Sequence, residues 1–148
     1  MSVKTLQELF IHELSDVYSA EKQLTKALPR LARASSNPKL RDAFEVHLEE
    51  TQGQIDRIDR VVDGADLKLK RIKCAAMEGL VEEGPVRDAA LIAGAQKVEH
   101  YEIASYGTLC ALGRQLGLTD AVKLLQETLA EEKATDKKLT LLAEQEGN

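Results

Sequence analysis

Three glutamates, Glu21, Glu102 and Glu132, interrupt stripes that would otherwise be apolar on three predicted amphipathic helices. Each lies three or four residues from leucines, valines or aromatic residues, which is the spacing of one face of an α-helix. A carboxylate buried inside a helical bundle is costly unless a partner compensates its charge. Three that converge therefore predict a shared cation, because helical bundles build their two-metal carboxylate sites in this way.

The composition restricts the class of protein. The chain has 148 residues, of which 30% are charged and 43% hydrophobic, and this predicts one soluble globular domain over residues 1–148. The net charge of −5 is spread along the chain and argues against nucleic acid as the main partner, despite a basic run at 67–73. No apolar segment reaches the length of a membrane span, so no membrane partner is expected.

The cysteines and the N-terminal sequence indicate the compartment. Cys74 and Cys110 match no metal-binding spacing and are predicted to pack as small hydrophobic residues. The N-terminal residues show no basic region followed by an apolar run, so no export signal is evident. We therefore expect a cytoplasmic protein with reduced cysteines.

The apolar periodicity predicts an all-α protein with four long helices and no strand. These helices are expected at about 5–34, 38–62, 85–116 and from 119 or 120 onward, with a short helix at 72–81. Asn37 is a candidate N-cap before Pro38, and Gly117 is expected to close the third helix. Two short connections and one longer crossover, which contains the short helix, favour a ferritin-like four-helix bundle over a simple up-down bundle.

Helical phase selects the candidate metal ligands. At 100° per residue, Glu21, Glu102 and Glu132 fall near the centres of their stripes, and the other candidates lie nearby. The predicted ligands are Glu21, His47, Glu50, Gln54, Glu99, Glu102, Glu132 and Asp136. We expect the six carboxylates to converge in one cavity in the middle of the bundle, with His47 and Gln54 at its rim. By the same measure His100 and Glu131 point away.

A metal-free polar core is the alternative to a metal site. In that arrangement the carboxylates would pair with Lys22, Lys97 or tyrosine hydroxyl groups. Because both lysines project from other helix faces, the sequence favours the metal. Glu50 and Glu99, each taken alone, are also typical of stripe-edge glutamates whose stems cover apolar surface while their carboxylates reach water.

Four segments together resemble a known family. They are SDVYSAEKQLTKALPRLA at 15–32, HLEETQGQIDRID at 47–59, QKVEHYEIASYGTL at 96–109 and LQETLAEEKATDKKL at 125–139. The chain closely resembles the YciF-like bacterial stress proteins over almost its whole length. The resemblance implies a ferritin-like bundle, commonly dimeric, that is stress-induced and of unsettled biochemical activity. It also implies structural kinship with rubrerythrin, a di-iron peroxide scavenger.

The resemblance implies roles for individual residues. The motif from Glu99 to Glu102 is similar to a third-helix motif of rubrerythrins whose two glutamates bind iron. Glu21 and Glu132 match the first-helix and fourth-helix glutamates. The resemblance therefore implies a di-iron site.

The sequence departs from the ferritin-like pattern on two helices and in the crossover. Neither the second nor the fourth helix carries the expected Glu-x-x-His pair, and Gln54 and Asp136 follow Glu50 and Glu132 instead. The resulting oxygen-rich ligand set admits manganese, and even calcium or magnesium, as well as iron. The family usually has a longer segment between GLVEEG and PVRDAAL, which adjoin here at 84–85.

Three functions remain open at this point. The first is a di-iron protein that handles peroxide, with Tyr18, Tyr101 or Tyr106 lining the site. The second is a non-catalytic metal-binding or dimerisation module, and the third is an adaptor whose surface binds an unknown protein partner under stress. A homodimer is expected in each case, and iron storage is disfavoured because storage requires a closed shell of many subunits.

Overall fold

The computed structural model describes residues 4–77 and 88–146, and its long elements are all α-helices. They are α1 (Leu6–Ala34), α2 (Pro38–Gly64), α3 (Asp88–Gln115) and α4 (Thr119–Glu146). Residues 75–77 are also helical and lie in the connection between α2 and α3. Neither described range contains a strand. The prediction of an all-α four-helix bundle is confirmed.

The helix ends follow the local sequence. Thr5 caps α1 by accepting a hydrogen bond from the Glu8 backbone N–H at 3.0 Å. Asn37 Oδ1 accepts from the Lys39 N–H at 2.8 Å, directly before Pro38 at the start of α2. Gly117 follows α3 with a φ of +75°, a left-handed conformation that glycine adopts without strain. The predicted N-cap and stop signals are therefore confirmed.

The four helices form two antiparallel hairpins, α1 with α2 and α3 with α4. Helix α1 also packs against α3, and α2 packs against α4, so that α2 and α3 lie diagonally opposite. The crossover follows α1, because Ser15 Oγ accepts from the Lys70 N–H and Ser19 Oγ from the Cys74 N–H, both at 2.9 Å. A long crossover of this kind lets α2 and α3 run in the same direction.

The core consists of two apolar clusters. The Phe10 cluster includes Phe10, Leu14, Ile58, Leu109, Cys110 and Val122, and the Leu28 cluster includes Leu28, Phe44, Cys74, Leu91 and Leu139. Both cysteines are buried and free, which agrees with their predicted packing as small hydrophobic residues. A layer of buried polar side chains separates the two clusters.

The crossover helix begins later than the sequence predicts. Residues 72–74 are not helical, and helical structure starts at Ala75. The Cys74 N–H is already bonded to Ser19 Oγ on α1, so residue 74 belongs to the extended part of the crossover. The remainder of the predicted short helix, the predicted start of the third helix at 85 and the 84–85 junction lie outside the described residues.

Candidate metal centre

The polar layer between the two clusters is built from one or two side chains of each helix. Glu21 comes from α1, His47 from α2, Glu99 and Glu102 from α3, and Glu132 from α4. None of the five is more than 4% exposed. They reach the interior because each occupies the apolar stripe of its helix, as Glu21 does between Val17 and Leu24.

These five side chains form two groups that share one member. Glu132 belongs to the Glu21 triad, with Glu21 and Glu102, and to the His47 triad, with His47 and Glu99. Within each triad the ligand atoms lie within 4.8 Å of one another. Atoms at that spacing can coordinate one cation, because ligand distances of roughly 2.0–2.6 Å are usual for divalent metals.

The carboxylate oxygens of this layer have no hydrogen-bond donors. Both oxygens of Glu21, Glu102 and Glu132 and Oε2 of Glu99 are buried without a partner. His47 Nε2 lies 2.6 Å from Glu99 Oε1, close enough for an ion pair, although its geometry is not that of a hydrogen bond. Ionised carboxylates only accept, so two of them can hydrogen-bond only when one holds a proton. Protons or cations are therefore needed to compensate the carboxylates of the layer.

Burial raises the pKa of every glutamate in the layer. It raises the pKa of Glu21 and of Glu99 to about 8. The pKa of Glu102 rises well above its usual range through burial and then through the charges of Glu21 and Glu132. Burial and the neighbouring Glu99 raise the pKa of Glu132 in the same direction. Without a cation Glu21 and Glu99 hold protons at neutral pH, and a bound cation must displace those protons.

The residues of the layer fit two divalent cations. The four glutamates carry four negative charges when ionised, which balances the charge of two divalent ions. Oxygen ligands with a single imidazole suit iron(II) and manganese(II) better than the softer metals that favour thiolates. The shared position of Glu132 would allow its carboxylate to bridge the two ions.

Two predicted ligands lie at the edge of this layer. Glu50 is half-buried on α2 and lines, with Thr135 and Lys138, a cavity of about 20 Å³ beside His47. Asp136 is half-buried on α4, and its Oδ1 lies 3.3 Å from His100 Nε2. Neither belongs to a triad of the described residues.

His47 and Gln54 lie deeper than the sequence predicts. The rim position expected for both is wrong, because His47 is 4% exposed and Gln54 is fully buried. Both occupy the inward face of α2 between Phe44 and Ile58, which are themselves buried. The structure brings His47 into a triad, whereas Gln54 Nε2 donates to Glu131 on α4 at 3.1 Å.

The side chains that helical phase excludes from the site lie mostly outside the polar layer, as predicted. His100 is 68% exposed, and Lys22 and Lys97 are exposed on the outside of the bundle. The lysines therefore supply no cation to the polar layer. Glu131 lies outside both triads, but it is half-buried and accepts hydrogen bonds from Gln54 and Arg57. Helical phase alone did not predict these hydrogen bonds from α2 to Glu131.

Of the three tyrosines, Tyr106 lies beside the carboxylates. It is fully buried, and burial followed by the nearby charge of Glu21 raises the pKa of its hydroxyl group. Tyr101 instead donates to Asp16 and accepts a hydrogen bond from the Cys74 thiol at 3.2 Å. Tyr18 is half-buried, with the Lys22 ammonium group 5.3 Å from its ring centroid.

The comparison with known proteins agrees with this architecture. A family model described as "Domain of unknown function (DUF892)" matches residues 5–148. The chain belongs to this family. Among DUF892 relatives, Protein YciF of Escherichia coli strain K12 is 65% identical over 154 aligned positions, which cover 97% of this chain and 93% of that protein. The alignment is longer than this chain, so YciF has residues without a counterpart here.

Solved structures establish the fold of this DUF892 chain. The crystal structure of the E. coli stress protein YciF matches it with a TM-score of 0.90 and 64% identity, covering 95% of this chain and 96% of that one. Ferritin-like, diiron-carboxylate proteins from Bacillus anthracis strain Ames match with a TM-score of 0.80 and 16% identity, over 95% and 99% of the two chains. The predicted ferritin-like fold is therefore confirmed. None of the helices in the described ranges has the length and apolar character needed to cross a membrane.

Proposed function

We propose that this protein holds two iron ions in its carboxylate layer and reduces peroxide during stress, with manganese as the second candidate metal. The observation that carries the proposal is the position of Glu132, which belongs to both buried triads. The fold supports it, because a ferritin-like relative is described as a diiron-carboxylate protein. The kinship with the stress protein YciF supports a role in stress.

Each residue of the layer has a defined task in this proposal. Glu132 would be shared by the two cations, Glu21 and Glu102 would help to hold one of them, and His47 and Glu99 would help to hold the other. Glu50 and Asp136 stand at the edge of the layer, where a half-buried carboxylate can attract cations toward the site.

The chemistry requires two electrons and two protons for each peroxide. Two iron(II) ions, when bound, would supply the two electrons that reduce hydrogen peroxide to water. The two protons come from solvent, because bound cations displace the protons of the glutamates. The Tyr106 hydroxyl group is a buried group beside the layer that can pass them on. The Phe10 and Leu28 clusters keep bulk water away from the layer on both sides.

We also propose that the chain is one domain and acts as a homodimer in the cytoplasm. Leu9 and Ile11 lie beyond the main stripe of α1 and remain half-buried, which leaves apolar surface for a second copy. Sedimentation velocity at micromolar concentration should give a dimer, and a monomer would remove this part of the proposal.

Metal content and peroxide turnover test the main proposal. Protein purified without chelators, or loaded with iron(II) under anaerobic conditions, should hold two metal ions per chain and consume hydrogen peroxide when a reductant is present. Glu132→Ala should hold none, whereas the exposed control Glu49→Gln should match the original protein. A chain that binds no metal under either condition would favour the adaptor function, and metal binding without turnover would favour the non-catalytic module.

A further inference from the structure

An arginine and a glutamate form a clamp between α2 and α4 at the flank of the polar layer. Arg57 Nη1 donates to Glu131 Oε1 at 2.6 Å, and Nη2 donates to Oε2 at 2.9 Å. Glu127 Oε2 lies 3.1 Å from the Nε atom of the same arginine. Two parallel hydrogen bonds between a guanidinium group and a carboxylate define both position and orientation. The Glu131 side chain is therefore held in one position. In the sequence it directly precedes Glu132, the ligand that both triads share.

The clamp determines how the side-chain amide of Gln54 is oriented. Gln54 Nε2 donates to Glu131 Oε1, the oxygen that also accepts from Arg57. The Arg57 guanidinium group donates to both oxygens of Glu131, so this carboxylate is paired as an anion and only accepts hydrogen bonds. A flipped amide would turn its oxygen toward that carboxylate and lose the bond. The donor end of Gln54 is therefore committed to Glu131.

The acceptor end of Gln54 has no partner. Gln54 Oε1 is buried and receives no hydrogen bond, and the amide is held against Glu131, which directly precedes the shared ligand Glu132 in the chain. Buried amide oxygens without a donor are rare in native proteins. A cation, or a water molecule bound to one, would satisfy this oxygen.

We propose that Arg57 and Glu131 are positioning residues that orient Gln54, so that its Oε1 serves the metal centre as a neutral oxygen ligand. This inference rests on the proposed two-metal function. A neutral ligand at this place adds an oxygen without adding charge, and the four glutamates therefore remain balanced by two divalent cations. Hard, oxygen-preferring ions such as manganese(II) and iron(II) gain from such a ligand.

A double-mutant cycle tests whether Glu131 acts through Gln54. Manganese(II) affinity is measured by titration for the original protein, Glu131→Gln, Gln54→Leu and the double variant. Outer residues that orient ligands typically contribute roughly 10- to 100-fold to metal affinity. We expect Glu131→Gln to weaken binding at least about tenfold on its own. In the Gln54→Leu background we expect Glu131→Gln to have little effect on manganese(II) affinity, because Glu131 then has no amide to orient.

Glu127→Gln is the matched control, since Glu127 also pairs with Arg57 but makes no hydrogen bond to Gln54. It should leave manganese(II) affinity unchanged. A similar loss from Glu131→Gln in both backgrounds, or a loss from Glu127→Gln equal to that from Glu131→Gln, would overturn the inference. Thermal unfolding of each metal-free variant shows whether it folds. Arg57→Lys, which keeps the charge but not the paired hydrogen bonds, replaces any variant that fails to fold.

A second measurement needs no metal. The side-chain NH₂ signals of Gln54, assigned by their loss in Gln54→Leu, should exchange slowly with solvent in the metal-free protein and faster in Glu131→Ala. Unchanged exchange would overturn the positioning role. If the original protein binds no manganese(II) while the exchange result holds, the two-metal function fails and the clamp remains, so the two failures are distinguishable.

Discussion

His47 Nε2 lies 2.6 Å from Glu99 Oε1 and thereby joins α2 to α3, the two helices that face each other diagonally across the bundle. The contact passes through the middle of the polar layer, where both side chains are almost fully buried. It is thus a link between the two hairpins that depends on polar groups and not on the apolar clusters.

Replacing His47 should affect both stability and metal content. In His47→Ala, Glu99 loses its neighbouring imidazole, and a buried polar group left without its partner typically costs about 1–3 kcal/mol of unfolding free energy. The His47 triad also loses its nitrogen ligand, so bound manganese(II) should fall from two ions per chain to one. Urea denaturation and equilibrium dialysis measure the two effects, and a variant unchanged in both would contradict the assigned role.

Glu132 and Glu21 should differ in the number of cations that each supports. Because Glu132 belongs to both triads, Glu132→Ala should remove both manganese(II) ions. Glu21 belongs to one triad, so Glu21→Ala should leave one ion in the His47 triad. Elemental analysis after dialysis gives the stoichiometry. Equal losses in the two variants would show that the ions do not bind to two separable groups.

The metal-free protein should become less stable as the pH rises. Glu21 and Glu99 have a pKa of about 8 in the folded protein, against an ordinary value of 4.5, so the folded state holds more protons between these limits. The stability that these retained protons contribute is fully present below about pH 4.5 and is lost as the pH rises through 8. The unfolding free energy falls by about 1.4 kcal/mol per pH unit for each retained proton. Melting temperatures with chelator at pH 5.5, 7 and 8.5 should therefore fall. A rising series would refute this, and added manganese(II) should weaken the trend.

Replacing one buried carboxyl group by an amide should stabilise the metal-free protein at high pH. Glu102 is fully buried among Glu21, Glu99 and Glu132, and their charges raise its pKa further beyond the effect of burial. Glu102→Gln keeps the shape and removes the ionisable group, so at pH 8 the unfolding free energy should rise by about 1.4 kcal/mol or more. Chemical denaturation with chelator measures it. The variant should also lose the cation of the Glu21 triad, and a lower stability at pH 8 would count against mutual repulsion.

Two glycines of α3 provide a matched pair for the packing of α3 on α4. A methyl group at Gly113 would stand 2.7 Å from Val122 Cγ2, whereas one at Gly107 would meet no atom within 4 Å. Gly113→Ala should therefore cost about 1–3 kcal/mol of unfolding free energy. Gly107→Ala should raise it by about 0.5–1 kcal/mol, because alanine favours the helix. Thermal denaturation compares the two variants, and adding Val122→Ala should recover part of the Gly113→Ala loss.

The convergence of the three stripe glutamates was predictable because helical phase is a strong signal when a stripe is long. Glu21, Glu102 and Glu132 each have several apolar neighbours at helical spacing, and the structure brings their oxygens within 4.8 Å of one another. The helix ends at Asn37 and Gly117 were equally readable, since both depend on local backbone chemistry.

The depth of a side chain and its pairing across helices could not be predicted from the sequence. His47 and Gln54 were expected at the rim, but their burial depends on how closely α4 and α1 approach α2, which periodicity does not report. Glu131 points off the stripe of α4, as its phase indicates, yet its long side chain turns toward Arg57 on another helix. The metal roles of all eight predicted ligands remain predictions.

The polar layer also restricts how the four helices can slide along one another. If α1, α3 or α4 moved by a single turn, about 5.4 Å, a buried glutamate of that helix would enter the Phe10 or Leu28 cluster and an apolar residue would enter the layer. Such a shift leaves a carboxyl group among aliphatic side chains, which is strongly unfavourable. Leucine-rich stripes alone would tolerate such a shift far better. The same carboxylates that destabilise the metal-free bundle thus define its single axial alignment.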